Sequence, residues 1–250
     1  MTARLEFALD AVYRAGRMTL GHFQAGRAVE FKADSSPVTA ADREAEQAIR
    51  RAIAEAYPGE AILGEEEGQT GSGEDRWVLD PIDGTKSFVC GVPLFASLLS
   101  YERAGAAELG VCYFPALELM LYAERGQGAF ANGRRARVSD KKSCQGAVLC
   151  CGGHSSMAQH GRMDRFLRLA EGALATRTWC DAYGHAMVAM GTADAMVDPV
   201  VKRWDISAMS VIVEEAGGKF TDFEGRAGLW PEALSSNGAI HRELVGAFRA

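Results

Sequence analysis

Residues Trp77-Val78-Leu79-Asp80-Pro81-Ile82-Asp83-Gly84-Thr85 carry the densest chemistry in the chain. An apolar run ends at Asp80, a second carboxylate follows at Asp83, and Gly84 and Thr85 lead into the amphipathic segment that begins at Lys86. A buried strand that ends in two acids and turns through glycine into a helix start suits a hard divalent cation, because such ions prefer oxygen ligands. An anion would sit beside it on the free N–H groups of Gly84, Thr85 and Lys86. The plain alternative is an Asp-Gly turn with a threonine cap. Two further acids lie at element ends: Glu65 closes a predicted strand, and Asp205 opens a predicted helix after Trp204. If these ends meet, the four carboxylates cannot stay ionised together without cations, which calls for about two Mg²⁺ ions. Taken singly, Glu65 also reads as part of the solvated run Glu65-Glu66-Glu67, and Asp205 as a charge that complements a helix dipole.

The other reactive residue types form no such set. His22, His154, His160, His185 and His241 show no paired metal spacing and read as surface or satisfied side chains. There is no Gly-x-Ser-x-Gly elbow and no Walker A loop. Gly126-Gln127-Gly128 reads as turn geometry, because no helix pattern follows it.

The elements that must position the acids follow from periodicity. Leu5, Leu9, Val12, Thr19 and Phe23 recur at helical spacing, and a second helix starts near Thr39 with Ala45, Ala48, Ile49, Ala52 and Ile53 as its apolar stripe. Pro58-Gly59 ends it, and Ala61 to Leu63 is a short strand leading to Glu65. Gln69 to Asp75 is rich in Gly, Ser and acids and reads as a mobile surface loop. Leu94 to Tyr101, Leu109 to Phe114 and Leu119 to Ala123 read as strands with tight turns, an antiparallel meander rather than repeated βαβ units. Beyond Val138, helices are predicted at 160–175, 183–190, 204–216 and 240–248, with short strands at 177–179, 195–198, 220–223 and 234–236. The chain reads as two tightly joined halves, 1–137 with most of the acids and 138–250 with Asp205.

Composition bounds the function. At 250 residues, 48% hydrophobic and 24% charged, the chain has ample material for a core. A net charge of −6 argues against a nucleic-acid partner, which asks for a basic footprint. No apolar run is long enough to span a membrane, and the first 23 residues lack a secretory pattern. The six cysteines form no Cys-x-x-Cys pair, so the expectation is reduced thiols in a cytoplasmic protein.

Asp80-Pro81-Ile82-Asp83-Gly84-Thr85 together with Trp204-Asp205-Ile206-Ser207-Ala208 resembles the two signatures of the inositol monophosphatase superfamily. Ser36 to Asp42, Gly64-Glu65-Glu66 and Glu214-Glu215-Ala216-Gly217-Gly218 match further family motifs in order, so the resemblance covers nearly the whole chain. It implies an α/β (α+β) fold, a layered αβαβα sandwich, in a homodimer that hydrolyses small phosphomonoesters with Mg²⁺, about two or three ions per subunit. The ligands it implies are Glu65, Asp80, the Ile82 carbonyl, Asp83 and Asp205. It further implies that Thr85 and Glu65 orient the attacking water, that Asp42 supports Thr85, and that Lys32 matches a basic residue near the site.

Within the superfamily, Lys86-Ser87-Phe88, Gly91 to Phe95, Arg177 to Gly184 and Met196 to Val200 resemble the histidinol-phosphatase branch, although Cys180 stands where that branch usually has glycine. Histidinol phosphate carries an ammonium and an imidazole, which Asp181 and Asp198 could meet; Asp181 could equally cap the following helix. Arg177 would pair with the phosphate or with Asp181. The substrate contacts expected are therefore Gly84, Thr85, Lys86, Arg177, Asp181, Asp198 and Asp205. The alternatives are an inositol-1-phosphate phosphatase, a broader sugar or nucleotide phosphatase of the same superfamily, and a non-catalytic regulatory module. An aspartyl-phosphate mechanism does not fit, because Pro81 occupies the position where an Asp-x-Asp-Gly-Thr enzyme has its nucleophile.

Overall fold

The computed structural model describes residues 1–25, 30–31, 37–179 and 181–249. Lys32, Ser36 and Cys180 lie outside them.

Helix α1 (Ala3–Thr19) is followed by the short pair β1 (Glu30–Phe31) and β2 (Pro37–Val38), then α2 (Ala40–Ala56). Thr39 caps α2 and Asp42 closes a capping box by accepting the Thr39 N–H. Next come β3 (Ala61–Gly64), β4 (Gly68–Thr70), β5 (Arg76–Asp83), the one-turn helix α3 (Thr85–Val89), β6 (Ala96–Arg103), β7 (Ala106–Phe114), β8 (Leu119–Glu124), β9 (Gly128–Ala131) and β10 (Arg134–Arg135). The second part contains β11 (Val148–Cys151), α4 (His154–Gln159), α5 (Met163–Ala170), β12 (Ala175–Arg177), α6 (Ala182–Ala189), β13 (Ala195–Asp198), α7 (Arg203–Glu215), β14 (Lys219–Thr221), β15 (Ala233–Ser236) and α8 (His241–Arg249).

Among the described residues, the larger sheet runs β10-β9-β8-β7-β6-β5-β3-β4 and the smaller one β12-β11-β13-β15-β14. Successive strands from β5 to β10 pair antiparallel, giving the expected meander, whereas β3 lies parallel to β5. Both faces of the central strands are apolar, as burial on both sides requires. Trp77, Leu79, Leu99, Tyr101 and Val111 pack against Leu5, Val12, Ile49 and Ile53 of α1 and α2. On the opposite face, Leu98, Cys112 and Phe114 join Val188 of α6, Ile206 and Ile212 of α7, and Met196 and Cys150 of the smaller sheet. Beyond that sheet, Leu149, Val197 and Leu234 pack against Met157, Phe166, Leu244 and Phe248 of α4, α5 and α8. The order of layers is helix, sheet, helix, sheet, helix, which is the αβαβα sandwich. Residues 1–137 and 138–250 share the middle core, because α7 packs on the large sheet although it follows in the second part.

Three local expectations change. Gly68–Thr70 is a strand paired antiparallel with β3, so the stretch 69–75 does not start as a loop. The helix expected at 160–175 spans only Met163–Ala170, α5: Gly161 at φ +66° separates it from α4, which already starts at His154 and ends at Gln159. The strand expected at 177–179 lies two residues earlier, where Val148, Leu149 and Cys150 supply its parallel partner.

Candidate active site

A strand alternates its side chains, so Asp80 and Asp83, three residues apart, should point to opposite faces of β5. A bulge removes the conflict: Asp80 pairs with Leu98 and Asp83 with Ala96, three residues of advance on β5 against two on β6. Pro81, which has no N–H to give to the ladder, sits inside it, and its carbonyl accepts the Ser97 hydroxyl at 2.7 Å. Gly84 then turns the chain at φ +80° and α3 begins.

The bulge aims both carboxylates at the N-terminus of α7. One oxygen each from Asp80, Asp83 and Asp205 lies within 4.8 Å of the others. Asp205 is the third residue of α7, where its Oδ2 accepts the Lys202 N–H at 2.7 Å. Asp80 accepts the Ile82 N–H at 3.0 Å, and Asp83 accepts the Ala182 N–H at 2.7 Å. Glu65, just past the end of β3, is near enough to Asp80 for its charge to raise that carboxyl.

Burial, and then the neighbouring charges, raise these acids. Asp80 is pushed well above the usual carboxylate range by desolvation, Glu65, Asp83 and Asp205. Asp83 is pushed well up by desolvation, Asp181 and Asp205. Asp205 rises to about 7, mainly by burial, although the Lys202 N–H counteracts the rise. Such a set gains from a cation, and its all-oxygen donors fit a hard divalent ion.

Thr85 and Asp42 stand at one side. The Thr85 hydroxyl donates to the Ile82 carbonyl at 3.0 Å and lies 3.5 Å from Asp42 Oδ1. Asp42 is buried, its other oxygen accepts the Thr39 N–H and hydroxyl, and desolvation raises it despite these bonds. Lys86 is exposed at the start of α3.

The opposite side is acidic too. Asp181 occupies the cap position of α6 at φ 59°, but its side chain makes no capping bond. Its carboxylate lies toward Gly84 instead: a Cβ added at Gly84 would sit 3.1 Å from Asp181 Oδ2. Asp83 takes over the capping role by accepting the Ala182 N–H. Asp198, at the end of β13, rises to about 8 through burial and then through Asp181. Arg177 makes local contacts: it donates to the Thr176 carbonyl at 2.7 Å, and its guanidinium lies 5.5 Å from the centre of the Trp179 ring.

Sequence reasoning missed the residues beneath this set. Glu46, on α2, accepts the N–H groups of Glu66 at 2.9 Å and Glu67 at 3.0 Å. Glu102 accepts Arg76 at 3.1 Å, Arg203 at 2.9 Å and the Ser207 hydroxyl at 2.8 Å, which ties the start of α7 to the large sheet. The available signal was an acid placed among apolar neighbours, Glu46 beside Ala45 and Ile49 and Glu102 at the end of an apolar strand. The Glu214-Glu215-Ala216-Gly217-Gly218 motif lies at the far end of α7. Glu215 accepts the Gly126 and Gly128 N–H groups at 2.9 and 2.6 Å, and Gly217 at φ +93° ends the helix.

The sequence profile of the inositol monophosphatase family matches residues 1–249. The chain is 39% identical to the histidinol-phosphatase of Chlorobaculum parvum, over 99% of this chain and 97% of that protein. It is 37% identical to the fructose-1,6-bisphosphatase/inositol-1-monophosphatase of Thermotoga maritima, over 97% and 94% of the two chains. Among solved structures, an IMPase from Thermotoga maritima superposes with a TM-score of 0.91 at 36% identity, covering 99% of this chain and 97% of that one.

Proposed function

The chain belongs to the inositol monophosphatase family and is a phosphoric monoester hydrolase, and from that premise we propose that it is a Mg²⁺-dependent histidinol-phosphatase. The reaction is hydrolysis of L-histidinol phosphate to L-histidinol and phosphate. The observation that carries the proposal is the convergence of Asp80, Asp83 and Asp205 with two further acids, Asp181 and Asp198, beside them.

Glu65, Asp80, the Ile82 carbonyl, Asp83 and Asp205 would hold the ions, about two or three per subunit. Ions held by these residues would lower the pKa of a bound water and neutralise charge on the phosphoryl group. Thr85, directed by the Ile82 carbonyl and backed by Asp42, orients the attacking water together with Glu65. The N–H groups of Gly84, Thr85 and Lys86, at a helix start, take the non-bridging oxygens. Asp181 and Asp198 receive the ammonium and the imidazole. The hydroxyls of a neutral polyol could donate to these two acids as well, but only a cationic group would relieve their mutual repulsion. Arg177 contributes at the rim, beside Trp179. The complete acid set argues against a non-catalytic module, because unpaired clustered carboxylates are costly.

The active unit we propose is a cytoplasmic homodimer, with most cation ligands in residues 1–137 and Asp205 and the specificity segment in 138–250. No helix among the described residues is long and apolar enough to cross a membrane. A second reading, inositol-1-phosphate or sugar-phosphate hydrolysis, draws on the likeness to the Thermotoga maritima enzyme. A panel with Mg²⁺ separates the two. Turnover of histidinol phosphate should exceed that of inositol 1-phosphate, fructose 1,6-bisphosphate, adenosine 3′,5′-bisphosphate and p-nitrophenyl phosphate. Equal or slower turnover of histidinol phosphate overturns the assignment.

A further inference from the structure

Glu46 lies one helical turn beyond Asp42 on α2 and is fully buried. A buried carboxylate must be compensated by hydrogen bonds or opposite charge. Here Oε1 accepts Arg50 Nε at 2.8 Å and the Glu67 N–H at 3.0 Å, while Oε2 accepts the Glu66 N–H at 2.9 Å. Arg50 extends the grip, donating to the Gly68 carbonyl at 2.5 Å and to the Thr70 hydroxyl at 3.2 Å. The end of β3 rests directly on this pair. A Cβ added at Gly64 would lie 2.3 Å from Glu46 Oε1 and 2.7 Å from Arg50 Nη2, so the close approach requires glycine.

A buried ion pair is weak support for stability alone, because its desolvation offsets much of its attraction. What distinguishes this pair is geometry. It adjoins the chain on both sides of Glu65: Gly64 packs closely against it in front, and the Glu66 and Glu67 N–H groups are bonded to it behind. Glu65 in turn adjoins Asp80.

We propose that Glu46 is a positioning residue for the cation site: its carboxylate clamps the 64–67 turn and thereby sets the reach of Glu65 into the acid cluster. The proposal rests on the metal-dependent reading of that cluster. The bonds of the Glu46 carboxylate run to Arg50 and to the Glu66 and Glu67 N–H groups, so it acts through backbone placement.

Glu46→Gln is the direct test. The amide keeps the size of the side chain, but one of its two ends becomes a donor facing a donor. By calorimetric titration the variant should bind Mg²⁺ roughly ten- to hundredfold more weakly than the parent, the range seen when outer supports of metal ligands are removed. The Mg²⁺ concentration for half-maximal activity should rise in parallel, with kcat at saturating Mg²⁺ within a few-fold of the parent. Glu46→Asp, which keeps the charge, should recover part of the loss. In the unmodified protein, amide hydrogen exchange should show Glu66 and Glu67 protected, although their turn is only partly buried. Parental Mg²⁺ affinity in Glu46→Gln, or unprotected amides at Glu66 and Glu67, overturns the proposal. Should Glu46→Gln fail to fold, the Mg²⁺ titration is made on Glu46→Asp, whose shorter carboxylate should still bind Mg²⁺ more weakly than the parent; parental affinity there overturns the proposal. If the unmodified protein binds no Mg²⁺, the metal-dependent reading fails instead, and amide exchange still reports on the clamp.

Discussion

Asp83 Oδ2 accepts the N–H of Ala182 at 2.7 Å, joining the end of a strand in the large sheet to the first turn of a helix ninety-nine positions later in the chain. This bond displaces Asp181 from the capping role its position suggests and leaves the Asp181 carboxylate directed at Gly84. One acid thus contributes to the cation cluster while it fixes the entry of the segment proposed to read the substrate.

Asp83→Asn tests the cluster without removing that bond, because the amide oxygen still accepts the Ala182 N–H. The fold should persist by circular dichroism, whereas Mg²⁺-dependent kcat should drop at least about 100-fold, the upper end of what loss of an outer support costs. Retained activity would contradict the whole assignment of ligands.

Asp181→Asn and Asp198→Asn should separate substrate recognition from chemistry. If these acids meet cationic groups, each loss costs about 2 kcal/mol, at the low end for truncating a buried charge pair. That corresponds to roughly thirtyfold in kcat/KM for histidinol phosphate. Activity on p-nitrophenyl phosphate, which carries no cation, should stay within a few-fold. Equal losses on both substrates would assign the two acids to the general scaffold.

Stability should depend on pH in an unusual direction when divalent cations are absent. Burial, with neighbouring acids, raises Asp205 to about 7 and Asp198 to about 8, above the ordinary value of 3.8, and Asp80 and Asp83 move the same way. The folded protein therefore binds more protons than the unfolded chain between these values, and its stability is lost as pH rises. In EDTA the melting temperature should fall across the window from about pH 4 to 8, and saturating Mg²⁺ should flatten the fall. A metal-free melting temperature that climbs through this window would refute the coupling.

Glu102→Ala should destabilise the protein by about 3 kcal/mol in urea unfolding, because it leaves Arg76 and Arg203 without their shared buried partner. Asp205 starts two residues after Arg203, so weaker Mg²⁺ binding should accompany the loss. A Mg²⁺ affinity equal to the parent's would confine Glu102 to structural support.

Periodicity by itself determined most of the elements, while the layered αβαβα sandwich followed from the resemblance to the family. The helical stripe of α2 and the apolar run of β5 declare which faces must be buried, and turn residues between Leu94 and Gly133 mark the meander. The acids Asp80, Asp83 and Asp205 were visible because each stands at the end of an apolar element. Their convergence was not. Whether two carboxylates three apart on a strand share a side depends on a bulge, which exists only in the pairing of β5 with β6. The partner of the Ala182 N–H, the buried grip of Glu46 on the 64–67 turn and the hub at Glu102 are likewise contacts between distant elements. Local periodicity reports which side of an element is apolar; it carries no information about which buried polar groups will meet, since that depends on how the layers stack.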